Sequence, residues 1–426
     1  MQTIVIVGGG AGGLELATKL GNKLGKTDRI ILVDKNYSHL WKPLLHEVAT
    51  GVLDTHDNEV NYQVHAKKHH FDFRLGSLTE LNRQKKYITL TPLLNDAGEI
   101  IRQALQIHYD QLVIAVGSVT NDFDTQGAAN NCIFLDNPNQ AHQFQQKLLQ
   151  LCTKVNNQAE LNMNIAIVGA GATGVELSAE LYNTIEQFSI YGLNNLTNAH
   201  LNIQLVEAGP RILPALSEKI AISAHKELTQ LGVNIAINTR VTAITEQGLM
   251  THNDTFIKAD IMVWAAGVKA PNWLNALGGL ESHRNNQLLV KRTLQTTFDD
   301  DIYALGDCAA CEYKTDAWVP PRAQSAHQMA THIYKNILRD KKNKPLKLYT
   351  YIDQGSLVNL SRYGAVGSLM GNLTRGSMFV EGRIARAMYV SLYRMHQLAL
   401  HGYWHTFLLV LSAKISLVIR PKLKLH

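Results

Sequence analysis

Cysteine is scarce in this chain. There are four in 426 residues, at positions 132, 152, 308 and 311, and none among the first 131. So few thiols, so widely scattered, exclude a disulfide framework and point to a reducing compartment. A basic leader is also missing: the apolar text "TIVIV" begins at Thr3, so no secretory signal is expected. Nor is there a clean apolar run of the ~20 residues that span a bilayer as a helix. The longest candidate, Tyr403–Ile419, is interrupted by His405 and Lys414. Charge of one sign is missing from the body. The net charge is +6, yet from Arg375 onward there are eight Lys/Arg and a single acid, Glu381, which leaves 33 bases against 34 acids in the remainder. The positive excess therefore belongs to the tail. No nucleic-acid partner and no metal centre are expected. The length and a hydrophobic content of 46% fit two or three domains with a sizeable core.

What the chain does contain is a duplication. "IVIVGGGAGGLELATKL" (Ile4–Leu20) and "IAIVGAGATGVELSAEL" (Ile165–Leu181) share one plan. An apolar β-branched strand runs into G-x-G-x-x-G, and an alanine- and leucine-rich helix follows. The glycines are Gly8, Gly10 and Gly13 in the first copy and Gly169, Gly171 and Gly174 in the second. Glycine at these places permits a tight turn, close approach of backbone to a pyrophosphate, and close helix–strand packing. The helix N-terminus then offers its unpaired N–H groups and partial positive charge to the phosphates. Each copy is completed by an acid that ends a later strand, Asp34 in "IILVDK" and Glu207 in "NIQLVEAGP". Such a carboxylate accepts hydrogen bonds from ribose hydroxyls and repels a 2′-phosphate. Glu207 lies further from its glycines than the usual ~20 residues, and Asn183–His200 is expected to absorb the excess as an elongated helix plus loop.

Further segments assign the two cradles. "YDQLVIAVGS" (Tyr109–Ser118) and "ADIMVWAAGV" (Ala259–Val268) are apolar strands ending in small-x-Gly, which places Ala115 and Gly117 against one cofactor and Ala266 and Gly267 against the other. "DDDIYALGDCA" (Asp299–Ala309) stops at Gly306-Asp307, where an acid suits the ribityl chain of a flavin; a plain turn is the alternative. The order of these segments resembles the two-dinucleotide-binding-domain flavoproteins. That resemblance implies an α/β fold of two Rossmann-like domains, with an NADH domain inserted into a discontinuous FAD domain. Expected boundaries are 1–122 and 285–345 for FAD, 123–284 for NADH, and 346–426 for a C-terminal sheet and helices. The disulfide reductases of that group carry a cysteine pair near the first fingerprint, and this chain has none there. Cys308 and Cys311 form C-x-x-C but are read as two ordinary buried thiols. Without a dithiol, electrons must leave the flavin to something diffusible.

"VPPRAQSAHQMATHIYKNILRD" (Val319–Asp340) narrows the acceptor. It reads as a helix from Arg322, with Gln324 and Gln328 at i, i+4 and His327 beside them, a polar face able to hold the carbonyls of a flat ring. "AQSAHQ" resembles the A-Q-x-A-x-Q motif of the type II, non-proton-pumping NADH:quinone oxidoreductases. "HLWKPLLHEVATG" (His39–Gly51) and "TGVELSAEL" resemble that family too. The resemblance implies non-covalent FAD contacts at Gly8, Gly10, Ala11, Gly12, Gly13, Asp34, Lys35, Lys42, Leu78, Ala115, Gly117, Asp307, Ala323 and Gln324. It implies NADH contacts at Gly169, Gly171, Ala172, Thr173, Gly174, Glu176, Glu207, Ala266 and Gly267. A quinone is expected at Pro43, His46, Gln324, His327 and Gln328, with Glu176 and Gln324 as the catalytic pair. Glu176 would couple proton uptake to quinone reduction; an ordinary surface glutamate is the alternative.

Tyr349–Phe379 alternates like a small sheet with glycine turns. Beyond it, Arg383, Arg386 and Arg394 interleave with Ile384, Met388, Leu392 and Met395, and Tyr403, Trp404 and Phe407 precede the terminal Lys422 and Lys424. This pattern fits a pair of amphipathic helices lying in a membrane interface of anionic lipid, on the cytoplasmic face of the inner membrane. A homodimer contact or a packed hairpin would use the same stretch. The expected enzyme oxidises NADH through FAD and reduces a membrane quinone, without pumping ions. Two rival readings fit the residues less well. A sulfide:quinone oxidoreductase lacks its flavin-facing cysteines here, and a non-turnover protein resembling apoptosis-inducing factor would not need the AQSAHQ helix.

Overall fold

The computed structural model describes the chain except residues 159, 362–363, 372–373, 420–422 and 424–426; the side chains of 368–378, 383–384 and 416–419 are likewise outside the described set. Arg420, Lys422 and Lys424 of the basic tail, and the side chains of Arg375, Arg383 and Ile384, therefore fall outside it. The chain forms two compact units. One comprises Met1–Leu40, Glu59–Val119 and Val268–Ile352, the other Trp41–Asn58, Thr120–Gly267 and Asp353–His426.

In the first unit the strand Thr3–Val7 lies between Arg29–Asp34 and Gln111–Ile114, all parallel; Asp72–Leu75 and Ile302–Ala304 complete a five-stranded sheet at its two edges. Ile4, Val5 and Ile6 are fully buried, as β-branched residues covered on both faces of a parallel sheet should be. The helix Ala11–Leu24 buries Leu14, Leu16 and Leu20, and the helix Ala323–Asp340 packs on it and buries Met329, Ile333 and Ile337.

The second unit repeats the arrangement. Met163–Val168 lies between Leu201–Val206 and Ile261–Trp264, with Asn234–Ala236 and Ile133–Phe134 outermost, again all parallel. The helix after the second fingerprint is Ala172–Gln187, continued by short turns at Phe188–Tyr191 and Asn198–His200, which take up the extra residues before Glu207. A three-stranded antiparallel sheet, Gly355–Asn359, Ala365–Gly371 and Thr374–Glu381, precedes the helical run Gly382–Ile419. That run breaks once, at Gly402 (φ 74°, ψ 175°), a conformation open to glycine, and so amounts to two helices end to end.

At two segments the compact units depart from the expected boundary between the FAD and NADH parts, and Asp353–His426 joins the second unit rather than standing apart. Trp41–Asn58 belongs to the second unit because its short helix Leu45–Ala49 buries Leu45, Val48 and Ala49 against the helices Pro138–Asn157 and Ala172–Gln187. Residues 268–284 belong to the first, where the Arg83 guanidinium donates to the Gly278 carbonyl at 2.6 Å. Neither departure is visible in local sequence pattern.

Candidate active site

Each unit contains a cradle built the same way. At the end of the first central strand Gly8 takes φ +104°, and a Cβ there would collide with the Ala115 carbonyl; one at Gly13 would collide with the Gly8 carbonyl. In the second unit Gly169 takes φ +101°, with Ala266 blocking any Cβ, and Gly174 meets the Gly169 carbonyl in the same way. Gly10 and Gly171 occupy the N-cap positions of their helices without a side-chain cap, and a Cβ on either would meet nothing within 4 Å. Thus the first-turn N–H groups around Ala11, Gly12, Ala172 and Thr173 open onto space in front of a positive helix end.

The acids sit where the motif needs them. Asp34 accepts from the backbone N–H of Gly9 at 2.6 Å and of Asn36 at 2.8 Å, while its burial raises its pKa. Glu207 accepts from Ala170 at 2.9 Å and Gly209 at 2.8 Å. Gly117 and Gly267 both have positive φ, +70° and +68°, at matching points after the strands Gln111–Ile114 and Ile261–Trp264. In the first unit Asp307 follows Gly306 (φ +73°) and accepts from the Ser118 hydroxyl at 2.7 Å. Leu78 is buried at the start of the strand Leu78–Asn82, and Lys35 is exposed beside Asp34. Helix-end donors, glycine-bared backbone and a ribose-facing acid are the donor set of a bound dinucleotide, so the residues present fit one such group in each unit.

The helix Ala323–Asp340 begins after Arg322 with no side-chain cap, so Ala323 and Gln324 lie at its positive end. Its polar face is divided among other contacts. His327 Nδ1 lies 2.5 Å from Glu15 of the first fingerprint helix, a carboxylate with a side chain 1 % exposed that Lys19 also holds. Gln328 bonds the backbone of Ile352 through both its amide N and O. His327 and Gln328 thus lock this helix in place. Lys42, Pro43 and His46 lie in the other unit, where Lys42 pairs with Asp136 at 2.9 Å.

Glu176 is buried, which the surface-glutamate alternative does not allow. It accepts from the Asn359 backbone N–H at 3.0 Å, and burial with the nearby Glu47 and Glu180 pushes its pKa up to about 8. Glu47 is pushed to about 8 by burial and by Glu180, and Glu180, bonded by Asn183 at 2.7 Å, is also raised. His46 stands between, Nδ1 3.8 Å from Glu176 and Nε2 3.9 Å from Glu47; burial lowers it to about 4, so it is neutral. Glu47, Glu180, Tyr389 and Arg386 were not singled out as site residues from sequence. The i, i+4 spacing of Glu176 and Glu180 was the available signal, and it matches the spacing that drew attention to Gln324 and Gln328. The four cysteines are free and buried, and burial pushes the Cys308 and Cys311 thiols up to about 11, which leaves little thiolate for redox chemistry.

Duplicated dinucleotide cradles on parallel sheets, with a glycine-aspartate turn after the last strand of the first, define a two-dinucleotide flavoprotein. The family described as pyridine nucleotide-disulphide oxidoreductase matches residues 2–330. A Type II NADH:quinone oxidoreductase of Haemophilus influenzae is 49% identical over the full length of both chains. Among solved structures, NDH2 from Plasmodium falciparum in complex with NADH superposes with a TM-score of 0.80 at 18% identity, covering 99% of this chain and 100% of that one. A sulfide:quinone oxidoreductase from Aquifex aeolicus gives 0.75 at 17% identity, covering 99% and 96%. At such identities the two structures speak for the fold. On its full-length relative, the chain belongs to the type II NADH:quinone oxidoreductases. It is accordingly an oxidoreductase whose cofactors are FAD and NADH.

Proposed function

We propose that the unit carrying Gly8–Gly13 and Asp34 holds FAD, that the unit carrying Gly169–Gly174 and Glu207 receives NADH, and that electrons leave to a membrane quinone without ion pumping. Bound flavin supplies two-electron chemistry between hydride donor and quinone. The chain's own residues do the rest. Helix N-termini and bared backbone fix the pyrophosphates, and Asp34 and Glu207 fix the ribose ends. Gln324, at a positive helix end of the first unit, orients a quinone carbonyl. Glu176 holds the proton that quinone reduction consumes. Fixing two reactants in register supplies most of the rate. The observation that carries this reading is the duplicated cradle, each copy with its own uncapped helix and acid.

The C-terminal helices supply the surface for a lipid headgroup region. Tyr403, Trp404, Phe407, Leu411 and Ile415 are exposed, with Trp404 stacked on Phe407, and Arg386, Arg394 and Lys414 lie along the same run. Among the described residues no helix is long and apolar enough to cross a membrane. Aromatic and aliphatic exposure of this kind favours a helix lying in the interface, where a quinone is also dissolved. The same helices would serve a homodimer. We place the enzyme peripherally on the cytoplasmic side of the inner membrane.

The test is anaerobic. Purified yellow protein should bleach on adding NADH and recover its colour on adding a quinone in liposomes, with no change of internal pH. Colour that persists after NADH refutes the reading.

A further inference from the structure

The second unit gathers three carboxylates, two buried and one half-buried, around one buried imidazole, and only one of the three was expected to act. Glu47 and His46 come from the helix Leu45–Ala49, Glu176 and Glu180 from one face of Ala172–Gln187, and Arg386 and Tyr389 from the run Gly382–Ile419. Asn359 and Ser361 close the cluster from the small sheet and its turn. Glu47, Glu176 and Glu180 face Tyr389, Glu47 also faces Tyr393, and Arg386 is the cation opposite Glu47 and Glu180.

The cluster has a direction. Side-chain exposure falls from 18 % at Glu47 to 2 % at His46 and 8 % at Glu176. His46 is held by the Pro43 carbonyl, and its Nε2 is buried without a hydrogen-bond partner while it points towards Glu47. The Tyr389 hydroxyl lies beside Glu176 and faces its carboxyl. An imidazole with one bound N–H and one vacant lone pair, between two carboxyls, is built to pass a proton.

We propose that Glu47 and His46 form a proton relay from solvent to Glu176, with Glu180 and Arg386 as the charges that set how firmly the relay holds its proton. This rests on the reading of the chain as a quinone reductase given above. The overall reaction joins NADH, quinone and one proton to give NAD+ and quinol, so solvent must deliver that proton. In the relay the Glu47 O–H bond breaks as an N–H bond forms at His46 Nε2. The Nδ1 proton leaves the Pro43 carbonyl for the Glu176 carboxylate that quinone reduction has emptied, and proton exchange through water from Nε2 back to Nδ1 restores the first tautomer. The two gaps of 3.8 and 3.9 Å exceed a hydrogen bond by about 1 Å, a span that a side-chain rotation or a bridging water covers. Carboxyls with pKa values near 8 keep the proton at neutral pH, and His46, lowered to about 4, holds it only in passing.

The experiment compares flavin-loaded wild type with Glu47→Gln, Glu47→Asp and Arg386→Gln in liposomes. Turnover with NADH and quinone is recorded from mildly acidic to alkaline pH, and the infrared C=O stretch of protonated carboxyls is titrated over the same range. Glu47→Gln should lower kcat roughly tenfold with KM for NADH unchanged. It also removes one like charge, so the alkaline limb and the infrared band should both move to lower pH by about one unit. Arg386→Gln removes the counter-cation and should move both to higher pH. Glu47→Asp should restore kcat. Limbs that stay put, or that move the same way in both variants, overturn the relay. Wild type that bleaches with NADH but cannot pass electrons to quinone refutes the enzymatic reading instead, and the infrared titration still decides the cluster.

Discussion

Replacing Glu176 by glutamine should stabilise the folded chain, and only above a defined pH. The carboxyl is buried, and its pKa rises from 4.5 to about 8 on folding. Below pH 4.5 the group is protonated in both states, and glutamine mimics it. Between 4.5 and about 8 the unfolded chain releases the proton while the fold retains it, so wild-type stability falls steadily as pH rises. At 1.36 kcal/mol per unit the penalty reaches roughly 5 kcal/mol near pH 8 and is flat beyond; at pH 7 it is about 3 kcal/mol. Glutamine carries no such penalty and still accepts the bond from Asn359. Thermal unfolding of both proteins, with flavin bound in each, should give similar midpoints near pH 4.5. The curves should then separate up to about pH 8, Glu176→Gln melting higher, while its quinone reduction is impaired. Midpoints that remain parallel across that range would show that Glu176 ionises freely in the fold, and the buried-acid argument would fail.

The duplicated glycines can be separated functionally. Gly8→Ala should yield colourless protein, because its Cβ strikes Ala115 in the flavin cradle; Gly169→Ala should stay yellow but no longer bleach with NADH. Absorbance spectra of the two purified variants decide this. Glu207→Gln removes the charge that repels a 2′-phosphate, so the ratio of kcat/KM for NADH over NADPH should fall at least tenfold; an unchanged ratio would exclude Glu207 from the ribose site. Because all four thiols are buried and raised in pKa, iodoacetamide at neutral pH should leave NADH:quinone turnover intact, as activity after incubation would show.

Much of the cradle was legible residue by residue. Gly8, Gly13, Gly169 and Gly174 are where a Cβ has no room, and Asp34 and Glu207 follow the strands that the apolar runs announced. The helix expected from Arg322 begins at Ala323, and the expected pair of C-terminal helices is one run parted at Gly402. Local text is silent where distant segments meet. His327 and Gln328 looked like ligands on one face, yet the fold uses both to fasten the helix to Glu15 and Ile352. Glu47 carried no signal beyond its place beside His46.

The sequence alone determined the repeated strand–turn–helix units, because glycine sterics, helix-end donors and apolar periodicity act over a few residues and leave their mark in order. Tertiary structure decided the electrostatics. A glutamate is an ordinary surface charge or a proton-holding acid according to what buries it, and Glu47, Glu176 and Glu180 come from two helices far apart in the chain. Desolvation and like-charge repulsion depend on distance in space, which no local reading of the text contains.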